Sequence, residues 1–310
     1  KSLVNKGIYV DIFSNQKKLG HDKTRTIGIS KKNLDFFNKE ILNIDKFLWN
    51  INKIQIYSDN LKNEKILDFQ NKNQTLFATF KNYQLYQFLS SDLKKNKLST
   101  FKNSKKFKVS DIKNYSLIIN CDSKNELSKK FFFKRIKKKY NSCAYTTIIK
   151  HKQISNNIAY QIFTKKGPLA FLPMSKTETS IVYSIKGKQN INLKKLIEKY
   201  NHKYSIINFS DVSYFELQSS NLRSYYYKNI LAFGDMLHRL HPLAGQGFNM
   251  SLRDTIDLSK IIEFKLDHGL ELDSSVCSDF ESKTKHKNFL FSTGIDLVYE
   301  FFNLESKINS

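Results

Sequence analysis

Cysteine, proline and tryptophan are almost missing from this 310-residue chain, which has three, three and one of them. The cysteines, Cys121, Cys143 and Cys277, are odd in number, far apart, and form no Cys-x-x-Cys pair. That pattern excludes a disulfide framework and the usual thiolate zinc sites, and it points to a reducing compartment, the cytoplasm. Glycine is sparse at ten residues, so a stretch holding three of them marks a turn. No run approaches the ~18 consecutive apolar residues that a membrane-spanning helix needs. The amino end, Lys1 to Gly7, lacks the long apolar segment of a secretory signal, so none is expected there.

Acidic residues are also few: 28 Asp and Glu stand against 52 Lys and Arg, a formal charge of +24. Such an excess invites a nucleic-acid reading. The kind of charge argues against it. The surplus is lysine spread along the chain, densest at Lys129-Lys130 and at Lys134 to Lys139, while arginine, whose fork grips phosphate two-pronged, is scarce. Dispersed lysine suits attraction to an anionic membrane face, and no nucleic-acid partner is expected. Hydrophobic residues at 40% and aromatic residues at 14% describe a folded chain of one or two domains.

Periodicity places the elements. Leu3 to Lys6 reads as the end of a helix with Gly7 as its cap, and Ile8 to Phe13 alternates as a strand. Residues 31–42 and 81–95 carry apolar residues at helical spacing; Ile51 to Tyr57, Ile66 to Phe69 and Tyr115 to Asp122 read as strands. From Ala144 to Phe215 short strands dominate (Tyr145–Lys150, Ile158–Phe163, Leu169–Leu172, Ser180–Ile185), with one helix near Leu193–Tyr200. This block fits an antiparallel sheet inserted between parts of an α/β domain. The last segment reads as one or two helices, and its aromatics, Phe289, Phe291, Tyr299, Phe301 and Phe302, are expected to pack as core.

The most informative stretch is Gly234 to Asn249. The apolar Ile230-Leu231-Ala232-Phe233 leads in, and Leu252, Ile256, Leu258, Ile261 and Ile262 lead out at helical spacing. Strand, tight glycine turn and helix form a joint where backbone approaches a ligand closely and free helix N–H groups point at it. His238 and His241 invite a metal or acid–base reading, but their spacing is weak support and no carboxylate pair completes a ligand set. No metal is expected.

Read together, Gly234-Asp235, His238, His241-Pro242-Leu243-Ala244-Gly245-Gln246-Gly247-Phe248-Asn249 and Leu252-Arg253-Asp254 resemble the FAD-dependent aromatic monooxygenases of the ubiquinone-biosynthesis hydroxylase family. Weaker echoes follow in order: Arg25 to Ser30, Asn82 to Leu89, Cys121 to Asn125, and the strands Ala159–Phe163, Gly167–Pro173 and Ser180–Ser184. The resemblance implies a Rossmann-like α/β FAD-binding domain interleaved with an antiparallel β-sheet substrate domain and closed by carboxy-terminal helices. It implies segments 1–30, 81–130 and 226–265 for the FAD domain, 31–80 and 140–225 for the substrate domain, and 266–310 for the helices. It further implies cofactor contacts from Arg25, Gln87, Asp122, Gly234, Asp235, Pro242, Gly245, Gln246, Gly247, Phe248 and Asn249. His241 is a weak catalytic candidate. The implied reaction uses NAD(P)H and O2, forms a flavin hydroperoxide, and hydroxylates a polyprenylated aromatic ubiquinone precursor. Contact with the inner membrane surface, an oligomer or a biosynthetic complex all remain open.

The chain departs from the family in several places. The Gly-x-Gly-x-x-Gly turn that grips the FAD pyrophosphate does not occur, and Ser14 stands where an acid would bind the adenosine ribose. Ser123 and Glu126 replace a glycine and a small hydroxyl residue, and Met236 and Leu237 replace two alanines. The expectation is therefore an amino-terminally truncated family member. The alternative is a non-catalytic relative that has lost FAD and serves as a binding or assembly protein.

Overall fold

In a computed structural model of the chain, the structure describes residues 1–14, 24–59, 64–70, 75–187, 191–240 and 246–308, with the side chains of 139 and 298–308 left out. It opens on helix α1 (Ser2–Asn5), strands β1 (Val10–Ser14) and β2 (Thr26–Ser30), and helix α2 (Lys31–Phe36), which runs on as a π-helical turn, Phe37–Ile41. Strands β3 (Trp49–Ile51), β4 (Lys53–Ser58), β5 (Glu64–Gln70) and β6 (Phe77–Lys81) precede helix α3 (Asn82–Lys95). Strands β7 (Ser99–Asn103) and β8 (Ile118–Asn120) and helix α4 (Glu126–Phe131) follow. The middle of the chain holds β9 (Arg135–His151), β10 (Ile158–Thr164), β11 (Gly167–Pro173), β12 (Glu178–Lys186), helix α5 (Leu193–Tyr200), β13 (Ile206–Phe209) and β14 (Ser213–Leu222). Short strands β15 (Tyr226–Tyr227), β16 (Ile230–Ala232) and β17 (His238–Arg239) lead to the long helices α6 (Gln246–Asp267) and α7 (Ser274–Ile308).

Four sheets result. The largest runs β17-β14-β9-β12-β11-β10-β4-β5, with β13 also on β9; all its pairs are antiparallel except β10 with β4. β1 pairs in parallel with β7, and β8 in parallel with β16, whose other edge takes β15. β2, β6 and β3 form a small antiparallel sheet. The antiparallel block expected from the sequence is therefore present, and it is larger than expected. β9 begins at Arg135, inside the lysine cluster, and β17 joins the sheet from the far side of the Gly234 turn.

Among the described residues, three large apolar clusters and a small one at Tyr140, Ala144 and Leu217 hold these layers. Ile230, Leu231 and Ala232 of β16, Met236, Leu237, Ile262 of α6 and Phe280 of α7 are fully buried together. Ile149, Leu169, Phe171, Ile181 and Tyr183 pack the large sheet against Leu193 and Ile197 of α5. Ile29, Phe80, Leu34, Phe37 and Leu85 join β2, β6, α2 and α3, with Leu252 of α6 completing the cluster. Each fully buried aliphatic or aromatic side chain contributes about 1.5–3 kcal/mol. The terminal helix differs from expectation: Phe289 is 52% exposed, and Phe291 lies under the Arg253 guanidinium, 3.8 Å from its ring centre. Tyr299, Phe301 and Phe302 lie outside the described side chains. Among the described residues no helix is long and apolar enough to cross a membrane.

Candidate functional site

β8 and β16 run in parallel with Ile118, Ile119 and Asn120 opposite Ile230, Leu231 and Ala232. The Phe233 N–H donates to the Asn120 carbonyl at 2.9 Å and carries the register one residue further. Both strands therefore end at the same level, and the chain leaves them as Cys121-Asp122 and Gly234-Asp235, side by side. The carboxyl end of parallel strands is where α/β sheets place their ligands.

Gly234 adopts φ +61°, a left-handed conformation that disfavours residues with a Cβ, and the Leu237 N–H closes the turn on the Gly234 carbonyl at 2.9 Å. Asp235 points outward and is exposed, while Met236 and Leu237 are wholly buried in the core beneath. The bulky pair that replaces two alanines thus anchors the turn from below. Cys121 is open to solvent as a residue, but its sulfur is closely surrounded. Desolvation, then the Asp235 and Asp122 carboxylates, push the thiol up to about 11. It stays protonated and is a poor nucleophile at neutral pH. The same effect places both carboxylates close to one point.

Asp122 has a structural duty as well. Its Oδ1 accepts from the Lys124 N–H at 2.8 Å, and its carbonyl accepts from the Ser128 hydroxyl. Asn125 caps α4 through the Ser128 N–H at 2.9 Å and donates to Asn120 Oδ1 at 2.7 Å. The turn is fixed by these bonds, so its exposed carboxylate is preset in position.

Helix α6 begins at Gln246, with Gln246, Gly247 and Phe248 half-buried. Its first N–H groups have no partner within the helix and carry the positive end of its dipole. Two side chains assigned to the cofactor from sequence point elsewhere. Asn249 Oδ1 accepts from the Ser30 N–H at 2.9 Å and from Asn33 Nδ2 at 2.9 Å, and its Nδ2 donates to the Gly28 carbonyl at 2.9 Å. The Phe248 ring packs edge-on to Phe80 at 6.0 Å. These side chains clamp the helix start to β2, β6 and α2, so a ligand would meet the backbone here. His241, Pro242 and Gly245 lie outside the described residues.

The remaining expectations concern Arg25, Gln87 and the histidines. Arg25 is exposed at the entry to β2; its carbonyl accepts from the Asn82 N–H at 3.0 Å, and among the described residues its side chain makes no ion pair. Gln87 is exposed on α3. An apolar crevice of about 270 Å³ lies behind the strand ends, walled by Leu3, Leu89, Leu93, Ile119, Phe233 and Leu258. His238 is buried, with Nε2 2.5 Å from Asp254 Oδ2, and Asp254 Oδ1 accepts from Asn288 Nδ2 at 2.9 Å. Sequence reading missed the Asp254 partnership. The signal was present: an acid on the buried face of an apolar helix needs a partner.

Residues 145–269 match the family model described as FAD binding domain. The 3-demethoxyubiquinol 3-hydroxylase of Escherichia coli (strain K12) is 28% identical over 154 residues, 46% of this chain and 39% of the relative. The mitochondrial ubiquinone biosynthesis monooxygenase COQ6 of Danio rerio is 24% identical over 213 residues, 54% of this chain and 44% of the relative. The aligned region is thus less than half the length of these curated relatives. Among solved structures, pqsL, a probable FAD-dependent monooxygenase from Pseudomonas aeruginosa, matches with TM-score 0.73 at 11% identity, covering 99% of this chain and 93% of that one. The p-nitrophenol 4-monooxygenase PnpA from Pseudomonas putida DLL-E4 matches with TM-score 0.72 at 10% identity, over 99% and 84%. At such identity these structures speak for the fold alone. The chain thus carries an FAD-binding domain match over residues 145–269, is similar in sequence to ubiquinone-biosynthesis hydroxylases, and shares the fold of FAD-dependent monooxygenases.

Proposed function

We propose that the protein is an FAD-dependent hydroxylase of an electron-rich aromatic ring, with NAD(P)H and O2 as co-substrates and a polyprenylated ubiquinone precursor as substrate. The observation that carries this reading is the level ending of β8 and β16. It sets the exposed carboxylates of Asp122 and Asp235 beside the Gly234 turn, ahead of the α6 amino end. The residues present fit the cofactor. Among the described residues, a Cβ built on Gly234 or on Gly247 would meet no atom within 4 Å, so both glycines border open space there.

In this reading Asp235 accepts hydrogen bonds from the ribityl hydroxyls, and Asp122 contributes a second acceptor. With FAD bound, the N–H groups of Gln246 and Gly247, at the positive end of α6, would favour negative charge on the ring system. FAD itself supplies the redox and oxygen chemistry, taking reducing equivalents from NAD(P)H. The chain's own residues bind, orient and exclude water; Met236 and Leu237 hold the turn rigid from beneath, and Asn249 fixes where the helix begins. In the same reading the chain divides into an FAD domain and a substrate sheet. Dispersed lysines favour work at the membrane face of the cytoplasm.

Titration of the purified chain with FAD, followed by quenching of flavin fluorescence, tests the reading. Saturable binding that Asp235→Ala weakens at least tenfold (about 1.4 kcal/mol) is the expected result. Absence of binding, or equal affinity in the two proteins, would sink it.

A further inference from the structure

One end of the large sheet collects cations that the cleft above does not use. Arg239 of β17 lies opposite Ser220 of β14, Ser220 lies opposite Lys137 of β9, and Leu222 lies opposite Arg135. Directly opposite residues share a face, as do residues two apart along a strand. Arg239, Ser220, Lys137 and Arg135 therefore stand on one face. His238, Asn221 and Ile136 stand on the other, where Asn221 donates to the Ser292 hydroxyl of α7 at 3.1 Å.

Arg135 is fixed in place. Its Nη1 donates to the Met236 carbonyl at 2.8 Å and to Ser220 Oγ at 3.4 Å, and its Nε donates to the Phe132 carbonyl at 3.3 Å. Desolvation lowers its pKa, and so does the charge of Arg239, which places the two guanidiniums close together. Among the described residues none of Arg135, Lys137 and Arg239 makes an ion pair. The nearest carboxylate in sequence, Asp235, acts instead on Cys121. Like charges held together without a counter-charge destabilise the fold, and a bound anion removes that penalty.

We propose that Arg135, Lys137 and Arg239, with the Ser220 hydroxyl among them, form a binding site for a phosphate or pyrophosphate group carried by a small molecule. The guanidinium forks match phosphate oxygens two-pronged, lysine adds a point charge, and the hydroxyl a further donor. Arg135 is tied to the carbonyl of Met236, so the site borders the Gly234–Met236 turn. The site stands on its own geometry, whether or not the neighbouring cleft takes FAD.

Isothermal titration of the full chain with inorganic pyrophosphate at low salt tests this. Arg239→Gln combined with Lys137→Gln removes two of the cations and leaves the structural bond of Arg135 in place. Lys129→Gln combined with Lys130→Gln removes equal charge elsewhere. The first variant is expected to bind at least tenfold (about 1.4 kcal/mol) more weakly, and the second to bind as the native chain does. NADPH, which carries the same group, is expected to show the same loss. Arg239→Lys keeps the charge and the fold but removes the fork, and is expected to weaken binding several-fold. Equal affinity in all these proteins, or no binding by the native chain, overturns the proposal. A loss confined to phosphatidylglycerol vesicles, with pyrophosphate and NADPH unaffected, overturns it too, since the patch would then be a lipid-facing one.

Discussion

His238 Nε2 lies 2.5 Å from Asp254 Oδ2, and each side chain is 1% exposed. The bond joins the last strand before segment 241–245 to the helix after it, and Asn288 Nδ2 adds α7 to the same carboxylate. Among the described residues Nδ1 is buried without a hydrogen-bond partner, so the network there depends on the Nε2 contact.

Removing the carboxylate should therefore be severe. Asp254→Ala leaves the buried imidazole without its carboxylate and takes one partner from the Asn288 amide, and is expected to destabilise the protein by about 3–5 kcal/mol. Urea unfolding measures it through the shift in midpoint at constant slope. A midpoint equal to that of the native chain would mean that the pair contributes nothing to stability.

Asn249 serves a second junction, between the start of α6 and the β2 edge. Asn249→Ala orphans the Ser30 N–H, the Gly28 carbonyl and one Asn33 contact. Each unpaired buried group costs about 1–3 kcal/mol. Asn249→Asp keeps the acceptor for Ser30 and loses only the bond to Gly28, so it should retain more stability than the alanine variant. The order of the two thermal midpoints decides the matter. If the aspartate variant is the less stable, the amide does not work as the hydrogen bonds indicate.

How much of this was legible in the sequence depended on the range of the contacts. Helix α5 spans the residues its apolar spacing marked, Leu193–Tyr200, and α3 differs from expectation by one residue. β9 was legible only in its apolar half. Its amino half carries Lys137, Lys138 and Lys139, and its strand conformation is imposed by pairing with β14 rather than by its own pattern. The glycine turn was legible because glycine is rare here and φ is positive at Gly234. The duty of Asn249 was not, because its partners lie 216 to 221 positions away and leave no local periodicity. The same holds for His238, where the paired histidines drew attention to metals while the true partner sat on the following helix.

Two glycines should respond oppositely to alanine. Gly167, at the β10–β11 hairpin, has φ +143°, and a Cβ there would run into the Ser184 carbonyl oxygen of β12. Gly167→Ala must displace backbone and should lower stability by more than about 1 kcal/mol, beyond the ordinary effect of this exchange. Gly247→Ala meets nothing within 4 Å and lies in a helix, where alanine is favoured by about 1 kcal/mol. It should leave folding intact and weaken FAD binding, because the methyl group enters the space ahead of the helix start. Thermal melts together with flavin titration separate the two effects. Unchanged FAD affinity in Gly247→Ala would place the cofactor elsewhere.

The final prediction concerns acid. Asp11 on β1 accepts from Lys102 Nζ at 2.6 Å and from the Tyr115 hydroxyl at 2.7 Å, which ties β1 to β7 and to the segment before β8. Desolvation acts to raise the Asp11 pKa, but the hydrogen bonds from Lys102 and Tyr115 and the lysine charge together outweigh it, and the net shift is downward. A carboxyl whose pKa is depressed on folding stabilises the native state above its unfolded value of about 3.9. That stability is lost as pH falls from there through the lower folded value. Asp11→Asn carries no such titration. The native chain should therefore be more stable than Asp11→Asn near neutrality, and the gap between their thermal midpoints should narrow as pH falls below about 4. Both partners are partly open to solvent, so the gap should be small and should shrink with added salt. A gap that is constant across the acid range would show that Asp11 acts through packing and not through its charge.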